Sequence, residues 1–378
     1  MELLKRQLKR EEKQSFFLLG PRGTGKSTYI KNEYPDALLV DLLQPDDFRA
    51  YSAKPERLRE LVHGNSDNKV IVVDEIQKVP DLLGVVHSLI EEKKGRQFIL
   101  TGSSARKLKR SGVNLLAGRA AMKHLHPFIA AELGPRFNMN DALATGLIPL
   151  ILGSPEPKEA LSAYLDLYIN EEVKSEGLTR NIGNFTRFLE TVAFSHSSVI
   201  NISNIARECQ IERKTVEGYI SILEDILLAF RIPAFQKKAK RSLAIHPKFY
   251  LFDAGVYSSI RPAGPADPTA EIAGAALEGL VAQHLRAHID YRAPDCRLYF
   301  WRTYSGNEVD FIVYGKNTFW AIEVKSGKEA RPEDLRGLKS FAEDFPQAEK
   351  FLLYRGKDRL EIDGIKVLPC EDFLKTLG

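Results

Sequence analysis

Eight consecutive residues near the start of the chain, Gly20-Pro21-Arg22-Gly23-Thr24-Gly25-Lys26-Ser27, have the composition of a loop that holds phosphate. Glycines let backbone N–H groups turn inward around an anion, and a helix predicted from Thr28 would add the positive end of its dipole. In this Walker A spacing Lys26 reaches the β and γ phosphates of ATP, and the Ser27 hydroxyl ligates Mg²⁺. A glycine turn that only ends a strand is the alternative, and the complete motif argues against it. Further on, the apolar run Val70-Ile71-Val72-Val73 ends in Asp74-Glu75. Asp74 is then expected to hold Mg²⁺ through water, and Glu75 to polarise the attacking water as general base.

The elements needed to position these groups can be read around them. Ser15 to Leu19 predicts a strand leading into the loop, and Val70–Val73 a parallel strand buried on both faces. Leu82, Val86, Leu89 and Ile90 share one face of a predicted helix, which leads to a strand over Gln97–Thr101 and the polar end Thr101-Gly102-Ser103-Ser104. At this point the sequence resembles AAA+ ATPases. The resemblance implies a polar residue here that senses the γ-phosphate, Ser103 being the nearest match and Thr101 the alternative. It also implies an arginine that faces the nucleotide of a neighbouring subunit. Arg119, in Leu116-Ala117-Gly118-Arg119-Ala120 before a predicted fifth strand, is the candidate; an ordinary surface arginine is the other reading. A finger in trans implies a homo-oligomeric ring, expected from the resemblance to be a hexamer.

Residues 127–180 read as amphipathic helices, as expected of the small helical lid after such a core. From Asn184 a helix is followed by a short helix to Cys209, a turn and a longer helix over Glu212–Leu223, the outline of a helix-turn-helix. The spacing turns Val216, Tyr219, Ile220 and Leu223 inward and leaves Arg213 and Lys214 exposed for a DNA groove. Two alternating segments, Phe230–Phe235 and Phe249–Phe252, suggest the strands of a wing. Between them lie Lys237, Lys238, Lys240 and Arg241, in a stretch without an acidic residue from Arg231 through Phe252. Such a loop suits phosphate contacts with DNA; a winged module that docks protein is the alternative.

The C-terminal part, 253–378, predicts a helix carrying Glu278 and strands over Leu298–Thr303, Glu308–Val313 and Thr318–Lys325. Glu323 and Lys325 are two apart on one strand, so they share a face, and Asp310 on the preceding strand can stand beside them. Carboxylates so placed suit Mg²⁺ or Mn²⁺ at a phosphodiester, with Lys325 orienting water or offsetting charge. Glu278, Asp310, Glu323 and Lys325 in this order resemble the PD-(D/E)XK nucleases. A salt-bridged sheet face, or a nuclease fold that only grips DNA, remain as alternatives.

Along its length the chain resembles a prokaryotic family that joins these parts. The expected architecture is α/β throughout: an AAA+ core with a parallel sheet (1–126), a helical lid (127–180), a winged helix-turn-helix (181–252) and a nuclease-like α/β domain (253–378). The resemblance implies an ATP-dependent machine that remodels and cuts duplex or branched DNA. An ATP-switched assembly without cleavage, or a branch-migration motor, are the alternatives. Composition agrees with a globular protein: 378 residues, 44% hydrophobic and 28% charged, net charge +4. No apolar run reaches membrane length. Cys209, Cys296 and Cys370 are too dispersed for a zinc site or disulfide framework, so a cytoplasmic, nucleoid-associated location and inert thiols are expected.

Overall fold

Strands that are apolar at every position, not at alternate ones, need cover on both faces. The N-terminal strands meet that need. In the computed structural model, which describes residues 4–104, 116, 118–175, 182–236, 246–265 and 267–378, five parallel strands form one sheet: β1 (Ser15–Leu19), β2 (Leu38–Asp41), β3 (Val70–Asp74), β4 (Gln97–Gly102) and β5 (Ala120–His124). Phe17, Leu19, Ile71, Val73, Phe98 and Leu100 join Leu58, Val62, Leu82, Val86 and Leu89 in one core. Phe16, Leu18, Val72 and Ile99 point the other way and are equally buried.

The strand order is β2-β3-β4-β1-β5. After β1 the chain passes over β4 and β3 to reach β2, so the connections diverge beside β1. In open parallel sheets ligands bind in the crevice such a divergence leaves at the carboxyl ends of the strands. The glycine-rich loop stands there, between β1 and the helix Lys26–Glu33. The predicted strands and helix of this part are all present; β2 and the helices Pro45–Ala53 and Arg57–Gly64 are additions.

Leu8–His126 with Asp225–Leu227 make up one compact unit, and Met1–Gln7, Pro127–Glu224 and Leu228–Gly378 another. In the second unit the helices Ile182–Ala193, Ile202–Cys209 and Arg213–Asp225 accompany a small antiparallel sheet of order β6-β8-β7, made of β6 (Ser198–Val199), β7 (Ala229–Ile232) and β8 (Lys248–Leu251). Val216, Tyr219, Ile220 and Leu223 are buried, while Arg213 and Lys214 are exposed, as their spacing requires. A six-stranded mixed sheet follows, of order β13-β14-β12-β11-β10-β9: β9 (Arg297–Arg302), β10 (Glu308–Tyr314), β11 (Phe319–Val324), β12 (Glu349–Tyr354), β13 (Leu360–Ile362) and β14 (Ile365–Pro369).

The two sheets are stitched together just after β7. Phe235 N–H donates to Phe300 O at 2.7 Å and Phe300 N–H to Pro233 O at 3.1 Å. The Phe235 ring then enters the core of the larger sheet, beside Trp301, Phe341 and Phe345. The three cysteines are buried with free thiols, and among the described residues no helix is long and apolar enough to cross a membrane.

Two buried histidines make this unit acid-sensitive. His284 Nε2 accepts from Ala130 N–H at 2.9 Å, and its Nδ1 lies 2.8 Å from Leu280 O, so the neutral ring satisfies both partners. Burial lowers its pKa from 6.5 to about 4, and that of His196 to about 3. The unfolded chain therefore takes up protons first: this stability is complete above about pH 6.5 and is lost as pH falls toward 4. Asp253, raised to about 6 by burial, runs in the opposite direction, so the informative quantity is a difference between proteins. His284→Gln keeps hydrogen-bonding capacity without titrating. It should flatten the pH dependence of unfolding free energy between pH 4 and 6.5 by up to about 1.4 kcal/mol per pH unit, as measured by urea denaturation at stepped pH.

Candidate active site

The loop takes its shape from two constraints. Gly23 and Gly25 have φ of +79° and +86°, left-handed conformations that cost a side-chain-bearing residue energy. At Gly20 a Cβ would lie 2.4 Å from the carbonyl oxygen of Leu125, so the loop's start must be glycine for β1 and the segment after β5 to close together. Thr24 Oγ1 ties the turn to Pro21 O at 2.8 Å. Lys26, nearly buried, donates from Nζ to Gly20 O at 2.8 Å and Pro21 O at 3.2 Å. Its ammonium is thus stored within the loop, where phosphate oxygens would compete with those carbonyls. Arg22 and Thr28 complete the predicted phosphate-binding stretch.

Across the crevice, Ser27 Oγ donates to Asp74 Oδ2 at 2.7 Å. The pair lines a cavity of about 180 Å³ together with Ile30, Lys31, Leu39, Asp41, Leu43 and Val72. Ser27 and Asp74 supply hard oxygen donors, which fit Mg²⁺. Asp41 ends β2 in register with Asp74; it escaped the sequence reading because β2 is short and half exposed.

Glu75 is held in place on several sides. Its backbone has φ of 58°, an uncommon conformation for a residue with a side chain, and its N–H donates to Thr101 Oγ1 at 3.0 Å. That same Thr101 hydroxyl bonds Asp74. Ser103 Oγ donates to Glu75 Oε2 at 3.2 Å, and Gln77 Nε2 bonds both Glu75 and Ser103, the latter at 3.1 Å. Both sensor candidates therefore lie at the site, Thr101 bonded to Asp74, the candidate Mg²⁺ carboxylate, and Ser103 to Glu75, the candidate general base. Gln77, whose Oε1 is buried without a hydrogen-bond partner, was missed. A glutamine two residues past an acidic pair has no distinctive spacing that would have marked it.

Arg119 lies outside this constellation. It pairs with Glu91 at the end of the helix Leu82–Glu91, and its side chain is 40% exposed.

In the second unit the predicted carboxylates do converge. The register Phe311–Ile322 between β10 and β11 brings Asp310 beside Glu323, and Val324 N–H donates to Asp310 Oδ2 at 2.9 Å. Lys325 Nζ lies 2.6 Å from Glu323 Oε1. Glu278 approaches from the helix Thr269–Arg292. A residue absent from the prediction stands among them: Lys248 of β8, its side chain 2% exposed, with Nζ 3.0 Å from Glu278 Oε1, 3.1 Å from Asp310 Oδ1 and paired also to Glu308. Tyr250, two residues along the same strand face, donates its hydroxyl to Glu278 Oε1 at 2.6 Å.

Burial works against the Lys248 ammonium, but Glu278, Tyr250, Asp310 and Glu308 hold its pKa well above the ordinary lysine value. Burial and the neighbouring Asp310 push Glu278 up to about 7, and the same two causes raise Glu323. Among the described residues no group of three or more His, Cys, Asp and Glu is placed to hold a metal ion. The expected Mg²⁺ or Mn²⁺ set of Glu278, Asp310 and Glu323 thus does not fit a metal as it stands, because a lysine takes the carboxylate oxygens.

Of the proposed DNA contacts, Arg213 and Lys214 lie on the outer face of their helix, Arg213 pairing with Glu217 at 3.2 Å. Lys237, Lys238, Lys240 and Arg241 lie outside the described residues.

The comparisons with known proteins agree with the first unit. Residues 12–134 match the family model described as an AAA domain. This part of the chain is accordingly similar to AAA-type P-loop ATPase domains. Residues 136–267 and 273–373 match two domains of unknown function, DUF8612 and DUF4143. No curated protein matches the chain. Among solved structures, domain III of the Thermotoga maritima replication initiation protein DnaA is 15% identical, with 45% of this chain and 81% of that one covered and a TM-score of 0.24. AMPPCP-bound DnaA from Aquifex aeolicus is 12% identical, with 56% and 82% covered and a TM-score of 0.26. Protein VC1899 from Vibrio cholerae is 12% identical, with 96% of each chain covered and a TM-score of 0.23. At these values the structural likenesses carry no functional inference.

The geometry around Glu75 sets a clear expectation. Glu75→Gln should leave ATP binding within a few-fold of wild type and lower turnover about 10²–10⁴-fold, the range for a lost general base, measured by nucleotide titration and phosphate release on the same preparations.

Proposed function

We propose that this protein hydrolyses Mg²⁺-ATP and uses the cycle to switch its engagement of DNA. The observation that carries the proposal is the crevice in which Ser27 and Asp74 meet at 2.7 Å, beside a Lys26 aimed into the phosphate loop and a Glu75 held by Gln77 and Ser103. Bound Mg²⁺ would offset charge on the β and γ phosphates. Ser27 and Asp74 would position it. Lys26 would move from its loop carbonyls to the γ-phosphate, and Glu75 would take the proton of the attacking water. Arg119, supplied by a neighbouring copy in a ring, would stabilise the transferred phosphoryl group after leaving Glu91.

DNA engagement is supported by the exposed Arg213 and Lys214 on the second of two short helices beside a small sheet, the outline of a winged helix, and by the stretch from Arg231 through Phe252 without an acidic residue. A second reading, metal-dependent DNA cleavage, is favoured by the meeting of Asp310, Glu323 and Lys325 on adjacent strands. It requires Lys248 to yield its place.

One set of proteins separates these readings. Wild type, Lys26→Ala and Asp310→Ala are incubated with linear, forked and four-way-junction DNA, Mg²⁺ or Mn²⁺, with and without ATP, and both ATP turnover and strand scission are recorded. The switch predicts DNA-stimulated turnover that Lys26→Ala abolishes, with all DNA left intact. Scission that Asp310→Ala removes while sparing turnover establishes the second reading. Turnover indifferent to every DNA would overturn DNA as the partner.

A further inference from the structure

Glu278, Glu308 and Asp310 surround one ammonium group, and the remaining contacts of the cluster are also committed. Lys248 Nζ takes Glu278 Oε1, Glu308 Oε1 and Asp310 Oδ1. Asp310 Oδ2 accepts Val324 N–H, Glu278 Oε1 also accepts the Tyr250 hydroxyl, and Glu323 Oε1 accepts Lys325 Nζ. Glu323 Oε2, by contrast, is buried without a hydrogen-bond partner, in a residue only 7% exposed. Such a group is costly to bury, and it marks a site with more acceptor capacity than its own lysines satisfy. A divalent ion would need the oxygens that Lys248 now holds.

We propose that Lys248 is an internal substitute for a divalent cation, inserted from β8 into the carboxylate cluster of β10, β11 and the helix Thr269–Arg292, so that the cluster is closed to metal while β8 is seated. The plug and its socket come from different segments: Lys248 lies within residues 136–267 and the carboxylates within residues 273–373, each matching its own family model. Seating of one segment on the other therefore decides whether the cluster presents a salt-bridged face or an open cation site. The inference stands independently of nucleotide hydrolysis.

The test is Mn²⁺ binding to the full chain without nucleotide, followed by electron paramagnetic resonance and by the Mn²⁺-dependent change in Tm. Wild type and Lys248→Arg, which keep the charge, should show no binding that Asp310→Asn removes. Lys248→Met should bind about one Mn²⁺ per chain, at least about tenfold more tightly than wild type, because the competing charge is gone and the oxygens are freed. Its Tm should rise with Mn²⁺, and adding Asp310→Asn should cancel both effects. Asp310-dependent Mn²⁺ binding by wild type overturns the proposal, as does a folded Lys248→Met that binds no more Mn²⁺ than wild type. If Lys248→Met does not fold in chelator, Mn²⁺ must restore its fold, and failure to do so overturns the proposal too. ATP turnover is not read in this experiment, so its outcome is separate from that of the ATPase assignment.

Discussion

A charge can be buried only if its partners are buried with it, and in the C-terminal half of this protein that constraint is met at Lys248. Glu278 comes from a helix, Glu308 and Asp310 from β10, and Lys248 from a strand of a different sheet. None of these elements can shift without leaving an unpaired charge in a dry environment. The ion-paired cluster and the Phe235 anchor together bind the small sheet to the large one, the first through charge and the second through aromatic packing. Lys248 pairs in register with Ile232 and Val199, so the small sheet itself sets where the ammonium stands.

The N-terminal unit solves a related problem in another way. Its polar site lies at the rim of a sheet buried on both faces, where strand ends deliver Asp74, Thr101 and Ser103 to one crevice and hydrogen bonds hold them. Lys26 is satisfied by loop carbonyls. A polar site kept in order by neutral partners can exchange them for phosphate without stranding a charge. A lysine fixed by three carboxylates cannot do so until something replaces it. The difference separates a site whose lysine is held by neutral carbonyls from one whose lysine is held by carboxylates.

These two sites were legible in the sequence to different degrees. The phosphate loop was readable because its chemistry depends on consecutive residues: glycines at fixed offsets, then Lys26 and Ser27, after an apolar strand. Asp74 and Glu75 followed from their place at a strand end. Gln77 and Asp41 were not readable, since a glutamine after an acidic pair and an aspartate after a short strand have no distinctive spacing. Their importance comes from the fold of β2, β3 and β4 around one crevice.

In the C-terminal half the sequence by itself determined that Asp310, Glu323 and Lys325 would share one sheet face, because strand side chains alternate with a period of two. It also placed Val216, Tyr219, Ile220 and Leu223 inward on their helix, because helical period does the same for helices. Tertiary structure alone decided what fills the space between the carboxylates. Lys248 was not singled out in the sequence, where it lies 30 residues before Glu278 and 62 before Asp310. No local periodicity links positions so far apart. Pairing of β8 with β6 and β7, and their docking on the larger sheet, made Lys248 the buried cation of the cluster.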